Sequence, residues 1–471
     1  MHINFVKEEM PYSFDTLEQY LGEDEENSRI ILNSLISMNV LKKVSKSSSE
    51  EELEDLFDIE SLRDIQDRVE RKPYVFKYVG ILMVKNACFF IYPKYIKSIQ
   101  EDRDNGLKKF KQILSVIRKY QSRQQDQKLM GREEKRDFNL LSYTLEMISD
   151  YYDNGLYSND KQIIEENGLG EILWEKTILE QNAYIFDEVP IYLNLFTSNS
   201  VINENNLFRR LHRCILTQCS RETSDILDVL GISPVIISDE NLADFGNVDY
   251  LEQQLKQELT NQFVTQKQHV LNELLLYIKR DEIQSSQEKI SYFGTSSFNL
   301  VWQDVCEIIK HNCLKKSLGE MNLTYKGCDS ETMIKNIISK PIWEHLKSQN
   351  KHEAKKGLEL DIVEISNGNL MIYDAKYYNL ILNEKRVSKQ PHLEDITKQY
   401  LYELALMDFA EENQLTLVRN AFLMPYDGLG EHLIGKVSYD IFKKFNELSF
   451  HDIDVILESC EEAYKMYLRE K

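Results

Sequence analysis

Apolar and polar positions alternate most legibly between Leu358 and Tyr378 (LELDIVEISNGNLMIYDAKYY), where two β-branched and aromatic runs flank Asn367-Gly368. That dipeptide between such runs is the strongest short-range hairpin signal a sequence offers. A two-residue turn there pairs Ser366 with Asn369, and counting outward sets Asp361 directly opposite Asp374. A symmetric four-residue loop gives the same pairing. A second strand-rich run, Lys72 to Ile96, predicts another hairpin with its turn near Lys85-Asn86.

Elsewhere the period is mostly helical. Residues 1–47 read as helices, with Asp15 capping TLEQYLG. A hairpin after them is similar to a winged-helix arrangement, a module that docks DNA or protein. Residues 137–285 read as helical, with loops at Asp153-Asn154-Gly155 and Glu165 to Gly170. Trp174 and the aromatics after it are most economically a core, and Asn261 to Ile278 predicts a long amphipathic helix. Further helices are predicted at Phe298–Leu314, at Thr332–Gln349 (interrupted at Pro341) and at Leu393–Glu412, whose first turn holds Glu394 and Asp395. Leu415–Met424 predicts a strand and Tyr439–Glu470 the closing helices. The order helix, hairpin, helix, strand predicts an α/β fold in three regions: 1–136 for docking, 137–284 mostly helical, and 285–471 around the hairpin.

Composition narrows the function. The chain has 471 residues, 42% hydrophobic and 29% charged, ordinary for globular protein. Met1 to Met10 lacks the apolar segment of a signal peptide, and no apolar run approaches the ~18 residues that span a bilayer. A soluble cytoplasmic protein, with no membrane partner, is expected. Seven cysteines without framework spacing fit a reducing compartment. Cys214 and Cys219, near His212, read as buried thiols sooner than as a zinc site. The formal charge of −21 argues against a general nucleic-acid coat, and does not exclude a nuclease, whose backbone contacts are local. Glu50 to Glu60, with seven acids and no base, reads as a solvated segment. Lys108 to Arg136 holds ten Lys/Arg against three acids and reads either as a solvated helix or as a contact to backbone phosphates.

Charge also changes the meaning of the hairpin. Opposed residues share a face with Cβ atoms roughly 4.5–5.5 Å apart, and like charges so placed destabilise the pair. Asp361 facing Asp374 therefore needs a cation. Lys376, two residues on, shares that face and supplies part of it, with Glu359 opposite. A Mg²⁺ ion, which takes one or two carboxylates and keeps several waters, would supply the rest. The bland alternative is a solvated face of scattered charges.

Asp361 followed by Asp374-Ala375-Lys376 resembles the PD-(D/E)xK nuclease core. The resemblance implies a C-terminal restriction-endonuclease-like core, a mixed sheet flanked by helices, preceded by a mostly helical α+β region. It also implies that Asp361, Asp374 and the Ala375 carbonyl ligate Mg²⁺ and that Lys376 positions the attacking water. Gln399 with Tyr402 resembles the glutamine helix motif of the RecB-like branch, which would turn Gln399 toward the site; a surface glutamine is the plain alternative. Gln303 stands where that core often has glutamate, and Asp304 or Glu307 is left as a substitute.

Tyr74–Ile96, Gly170–Ile178, Phe298–Glu307, Lys340–Trp343 and KQYLYE together resemble the LlaJI family of restriction endonucleases, whose nuclease subunits are akin to McrC. That implies cutting of double-stranded DNA within a restriction system. A cognate DNA methyltransferase belongs to such a system, often with a McrB-like AAA+ NTPase. This sequence has no G-x-x-x-x-G-K-[ST], so NTP hydrolysis is expected from a partner. A repair nuclease of the same core and a non-catalytic targeting subunit are the competing readings.

Overall fold

The computed structural model describes residues 2–45, 69–85, 87–97, 103–128, 139–280, 290–346, 349–444 and 449–470. The acidic run Glu50–Glu60 and the end of the basic stretch fall outside them. By density of contacts the chain forms two compact units. One joins Met1–Glu133 to Phe293–Lys471; the other is Glu134–Tyr292. The first and last of the regions expected from sequence thus share one unit.

The chain begins with a strand, not with a helix. β1 (His2–Lys7) and β2 (Pro11–Tyr12) precede α1 (Phe14–Leu21) and α2 (Glu25–Ser37), followed by β3 (Leu41–Lys43), β4 (Tyr74–Phe76), β5 (Val79–Val84) and β6 (Ala87–Tyr92). β5 and β6 form the expected hairpin, with Val84 opposite Ala87. β1 then lies parallel to β6, His2 against Ala87 through Lys7 against Tyr92. Local periodicity could not show this partner, some 85 residues away. The cap of α1 is Ser13, whose side chain accepts from the Thr16 N–H, so Asp15 sits inside the helix.

α3 (Arg103–Lys128) carries the basic stretch, and several of its cations are used within the fold. Lys109 pairs with Asp427 at 2.6 Å, Arg123 pairs with Asp304 at 3.0 Å, and Lys119 donates to the Tyr467 carbonyl at 2.6 Å. Neither free solvation nor phosphate contact describes these three.

The second unit is less helical than its periodicity suggests. After α4 (Leu140–Asn154) come β7 (Asp160–Glu166), β8 (Glu171–Ile172), α5 (Trp174–Glu180), β9 (Tyr184–Phe186), β10 (Val189–Ile191) and β11 (Phe196–Ile202). Then follow α6 (Leu207–Glu222), α7 (Ser224–Leu230), α8 (Val248–Asn261) and α9 (Thr265–Ile278). β7, β11 and β8 form one sheet, and β9 and β10 pair with each other. The expectation of an aromatic core here is wrong: Trp174 is 54% exposed and Phe186 67%. Hydrophobicity predicts burial in one direction only, because folded surfaces are themselves largely apolar. Cys214 and Cys219 are buried thiols that donate to the carbonyls of Glu240 and Leu216. Neighbouring His212 accepts the Tyr157 N–H at Nδ1.

β12 (Ile290–Thr295) completes the sheet order β1-β6-β5-β12. α10 (Phe298–Ile309) follows, then a 3₁₀ turn at Ile334–Asn336 and the small hairpin of β13 (Ile342–Glu344) and β14 (Lys351–Glu353) where a helix interrupted at Pro341 is expected. β15 (Ile362–Ser366) and β16 (Asn369–Ala375) form the central hairpin. Beyond it lie β17 (Ile381–Leu382), β18 (Val387–Ser388), α11 (Leu393–Glu412), β19 (Thr416–Tyr426), β20 (His432–Val437), α12 (Asp440–Lys443), β21 (Ile453–Ser459) and α13 (Cys460–Arg469). β21 replaces part of the closing helices: its run Ile453, Val455 and Ile456 is buried, and a short apolar run has no readable period.

The resulting five-stranded sheet has order β15-β16-β19-β21-β20, with β16, β19 and β21 parallel and both edges antiparallel. Leu370 and Ile372 face the α11 side, packed in one cluster with Tyr402, Leu406 and Phe409. Tyr373 has Lys310, just past α10, over its ring. The Trp302 indole of α10 donates to the Leu423 carbonyl at 3.2 Å. Among the described residues no helix is long and apolar enough to cross a membrane.

Candidate active site

The turn sets the site. Asn367 (φ 52°) and Gly368 (φ 75°) both adopt positive φ, the type I′ geometry whose twist matches that of paired strands. Register follows as Ser366 opposite Asn369 through Ile362 opposite Tyr373, and Asp361 is the next position, beside Asp374. The Ala375 N–H donates to Asp361 Oδ2 at 3.3 Å. Since the N–H and C=O of one strand residue point to the same side, the Ala375 carbonyl faces that edge too. Asp361, Asp374 and Ala375 therefore offer oxygens to one small volume.

Burial makes this pair demanding. Asp374 is 4% exposed. Burial first, and then the neighbouring Asp374 carboxyl, push the Asp361 pKa well above the usual carboxylate range, against Lys376 and the Ala375 N–H. Two carboxylates this close repel each other, and the one ammonium beside them, Lys376, is shared with a third acid, Asp395. An oxygen-rich donor set short of positive charge fits a hard divalent ion such as Mg²⁺.

Lys376 lies on the same face, with Nζ 3.0 Å from Asp374 and 2.8 Å from Asp395. Burial works to lower its pKa, yet these two acids hold it above the ordinary lysine value, so the ammonium stays charged. Glu359 is not opposite Lys376: pairing begins at Ile362, and the Glu359 carbonyl instead accepts from the Tyr402 hydroxyl at 2.7 Å.

The sequence places Asp395 only in the first turn of its helix. It has two roles here. Its Oδ2 accepts from the His392 N–H in the capping box of α11, while Oδ1 takes Lys376. The spacing of Asp395 from the helix start signalled the first role; nothing local signalled the second. Gln399, one turn on, is fully buried, and its amide donates to the Ala421 carbonyl at 3.2 Å. It is neither at the cleft wall nor on the surface. Gln303 does reach the site, donating to Asp361 Oδ1 at 3.3 Å. Asp304 and Glu307 are held elsewhere, by Arg123 and by Lys315 at 3.0 Å each, so neither substitutes for the expected glutamate.

A cleft of about 840 Å³ opens over Asp361, Ala375 and Lys376. Its other wall is the N-terminal segment, Lys7 to Pro11. The Tyr377 hydroxyl hydrogen-bonds the buried Glu8 carboxylate, and the Lys94 N–H donates to that same carboxylate at 3.2 Å. Glu9 is shared by Lys77 at 3.1 Å and Lys94 at 2.8 Å. The Glu8–Tyr377 bond fastens the segment after β1 beside the end of β16 across more than 350 residues of sequence.

The profile of the LlaJI restriction endonuclease family matches residues 78–458. The chain is similar to the type II restriction enzyme BsuMI component YdjA of Bacillus subtilis (strain 168), 27% identical over 418 residues, covering 84% of this chain and 81% of the relative. A weaker likeness, with TM-score 0.37 and 13% identity over 99% of this chain and 98% of the other, is to a half-complex of Thermococcus gammatolerans McrB AAA+ hexamers with bound McrC. With its family profile spanning both the β5–β6 hairpin and the carboxylate-bearing sheet, the chain belongs to the LlaJI restriction endonuclease family.

Proposed function

We propose that the protein is the Mg²⁺-dependent endodeoxyribonuclease subunit of a bacterial restriction system, with a PD-(D/E)xK core that hydrolyses unmethylated double-stranded DNA. The observation that carries this reading is the side-by-side placement of the Asp361 and Asp374 carboxyls, with Lys376 beside them, at the carboxyl end of a β-strand in a mixed sheet. Family membership and the restriction-enzyme name of the relative support it.

In this reading Asp361, Asp374 and the Ala375 carbonyl hold Mg²⁺, which when bound offsets charge on the scissile phosphate and acidifies its water. Lys376, kept charged and held from both sides by Asp374 and Asp395, is a fixed point charge that orients the attacking water and offsets the phosphate's developing charge. Gln303 contributes a neutral hydrogen bond to Asp361 and orients it. Double-stranded DNA is the substrate, a cognate methyltransferase protects the host sites, and a McrB-like NTPase subunit assembles with the chain.

Asp374→Ala or Lys376→Ala should lower Mg²⁺-dependent cleavage by the assembled system by roughly 10²–10³-fold with the fold intact. Full cleavage by either variant sinks the assignment. Equal cutting of methylated and unmethylated cognate DNA would favour a repair nuclease. The presence of Gln303 in the place of an acid favours, as a second reading, a targeting subunit without catalysis. Calorimetry decides between them: the catalytic reading requires Mn²⁺ binding that Asp361→Asn abolishes.

A further inference from the structure

The charges lining the cleft fall into compensated and uncompensated sets. Lys77 and Lys94 share the Glu9 carboxylate, and Lys376 is ion-paired with Asp374 and Asp395. Two cleft-lining cations remain, Lys7 at the end of β1 and Lys389 in the loop before α11. Among the described residues neither has a carboxylate within ion-pair distance. Both are half-buried. Both line the same cleft, and burial first, then the Lys389 charge, lower the Lys7 pKa, with Asp427 acting in the opposite direction. Asp427 is itself engaged by Lys109 at 2.6 Å and by the Lys97 N–H at 3.1 Å.

The position of Lys7 is set by its fold. Its backbone is paired with Tyr92 in the parallel ladder, and its N–H donates to the Tyr12 hydroxyl at 2.8 Å. Lys389 is turned by a positive φ of 53°. The cleft is therefore bipolar. The Asp361 carboxyl, which faces buried Asp374, lines one part, and two lysines without an ion-pair partner among the described residues line another, in a chain of net charge −21. Holding like charges together without a counter-ion is costly, and a phosphodiester oxygen supplies that counter-charge with hydrogen bonds to both ammonium groups.

We propose that Lys7 and Lys389 together bind one backbone phosphate of the DNA strand that is cut, so that the N-terminal strand is part of the substrate path. This rests on the nuclease reading above, which supplies the strand. The lysines act as a positioning pair: they fix where the strand lies, and the scissile phosphate then falls at the Asp361/Asp374 end. The cleft, at about 840 Å³, is far larger than one phosphate requires and accommodates a length of strand.

The test uses the full chain and a cognate duplex oligonucleotide in Ca²⁺, with affinity followed by fluorescence anisotropy against NaCl concentration. The double variant Lys7→Ala/Lys389→Ala should bind about tenfold more weakly at 0.1 M salt. Its log–log salt slope should be shallower by about 0.9, the contribution of one neutralised phosphate. Mn²⁺ binding should stay at the wild-type level. The Lys7→Arg/Lys389→Arg pair should restore both affinity and slope, and it carries the test if the alanine variant fails to fold. Unchanged affinity and slope in the alanine variant, or no recovery with arginine, overturns the proposal. So does lysine-dependent binding of inorganic phosphate alone with no effect on the oligonucleotide. The two readings fail separately. If Asp374→Ala still cleaves while the lysine variants lose the strand, the assignment of the Asp361/Asp374 site falls and the phosphate site stands. If Asp374→Ala is dead and the lysine variants bind normally, the reverse holds.

Discussion

The β15–β16 hairpin and the β9–β10 hairpin have the same turn geometry and opposite surroundings. Asn367-Gly368 and Asp187-Glu188 both place two successive residues at positive φ, 52° and 75° in the first, 49° and 65° in the second. Apolar and aromatic residues flank both turns. Yet Ile362, Val363 and Ile372 are fully buried, while every residue of Tyr184–Phe186 and Val189–Ile191 is exposed. The difference lies in neighbours. β16 has β19 on its second edge and α11 over one face; among the described residues β9 and β10 pair only with each other. Turn chemistry sets register, and it does not set burial.

The largest effect that separates the two is truncation of matched isoleucines. Ile372→Ala should cost about 2–5 kcal/mol, as buried large-to-small changes do. Ile185→Ala, at a position 76% exposed, should stay within about 0.5 kcal/mol. Urea denaturation of the two variants measures both. Equal costs would break the comparison, since Ile185 would then be covered in solution.

The second test concerns what fastens the buried hairpin to the N-terminal strand. Burial pushes the Glu8 pKa up to about 7, against Lys94 and the Tyr377 hydroxyl. An acid whose folded pKa lies above its unfolded value of roughly 4.3 stabilises fully below that unfolded value. The stability is then lost as pH rises through about 7. The wild type should accordingly lose up to about 3 kcal/mol relative to Glu8→Gln between pH 4 and pH 8. Parallel stability–pH curves for the two proteins would show that Glu8 is not buried against Tyr377.

The smallest effect is at the turns. Gly368 meets no atom within 4 Å where a Cβ would stand, so Gly368→Ala should cost only the backbone term, about 1 kcal/mol. Glu188→Gly should gain about as much in the exposed hairpin. Amide exchange should slow over residues 184–191 in the second variant and quicken over 362–375 in the first.

The site was legible to the degree that it is local. Asn367-Gly368 dictates the register that sets Asp361 beside Asp374, and two-residue alternation adds Lys376. α11 was legible as well, Leu393 to Glu412, since its apolar spacing and first-turn acids are all contiguous. Asp395 shows where legibility stops. A capping-box acid is readable, but its second bond, to Lys376, depends on where α11 begins relative to β16. Gln399 shows the same limit from the other side: sequence offered the cleft or the surface, and packing against Ala421 made it neither.

By itself, then, the sequence determined the pairing of two carboxylates and a lysine on one strand face, because a strand has period two and a two-residue turn admits one register. Tertiary structure decided what surrounds that face. It brought Lys7 and Glu8 from the first strand to the opposite wall of the cleft, turned the basic helix toward Asp304 and Asp427, and left Trp174 in solvent. The physical reason is that hydrogen-bond register is a contest between neighbours in the chain. Burial and charge compensation are settled among groups that meet only once the chain has folded.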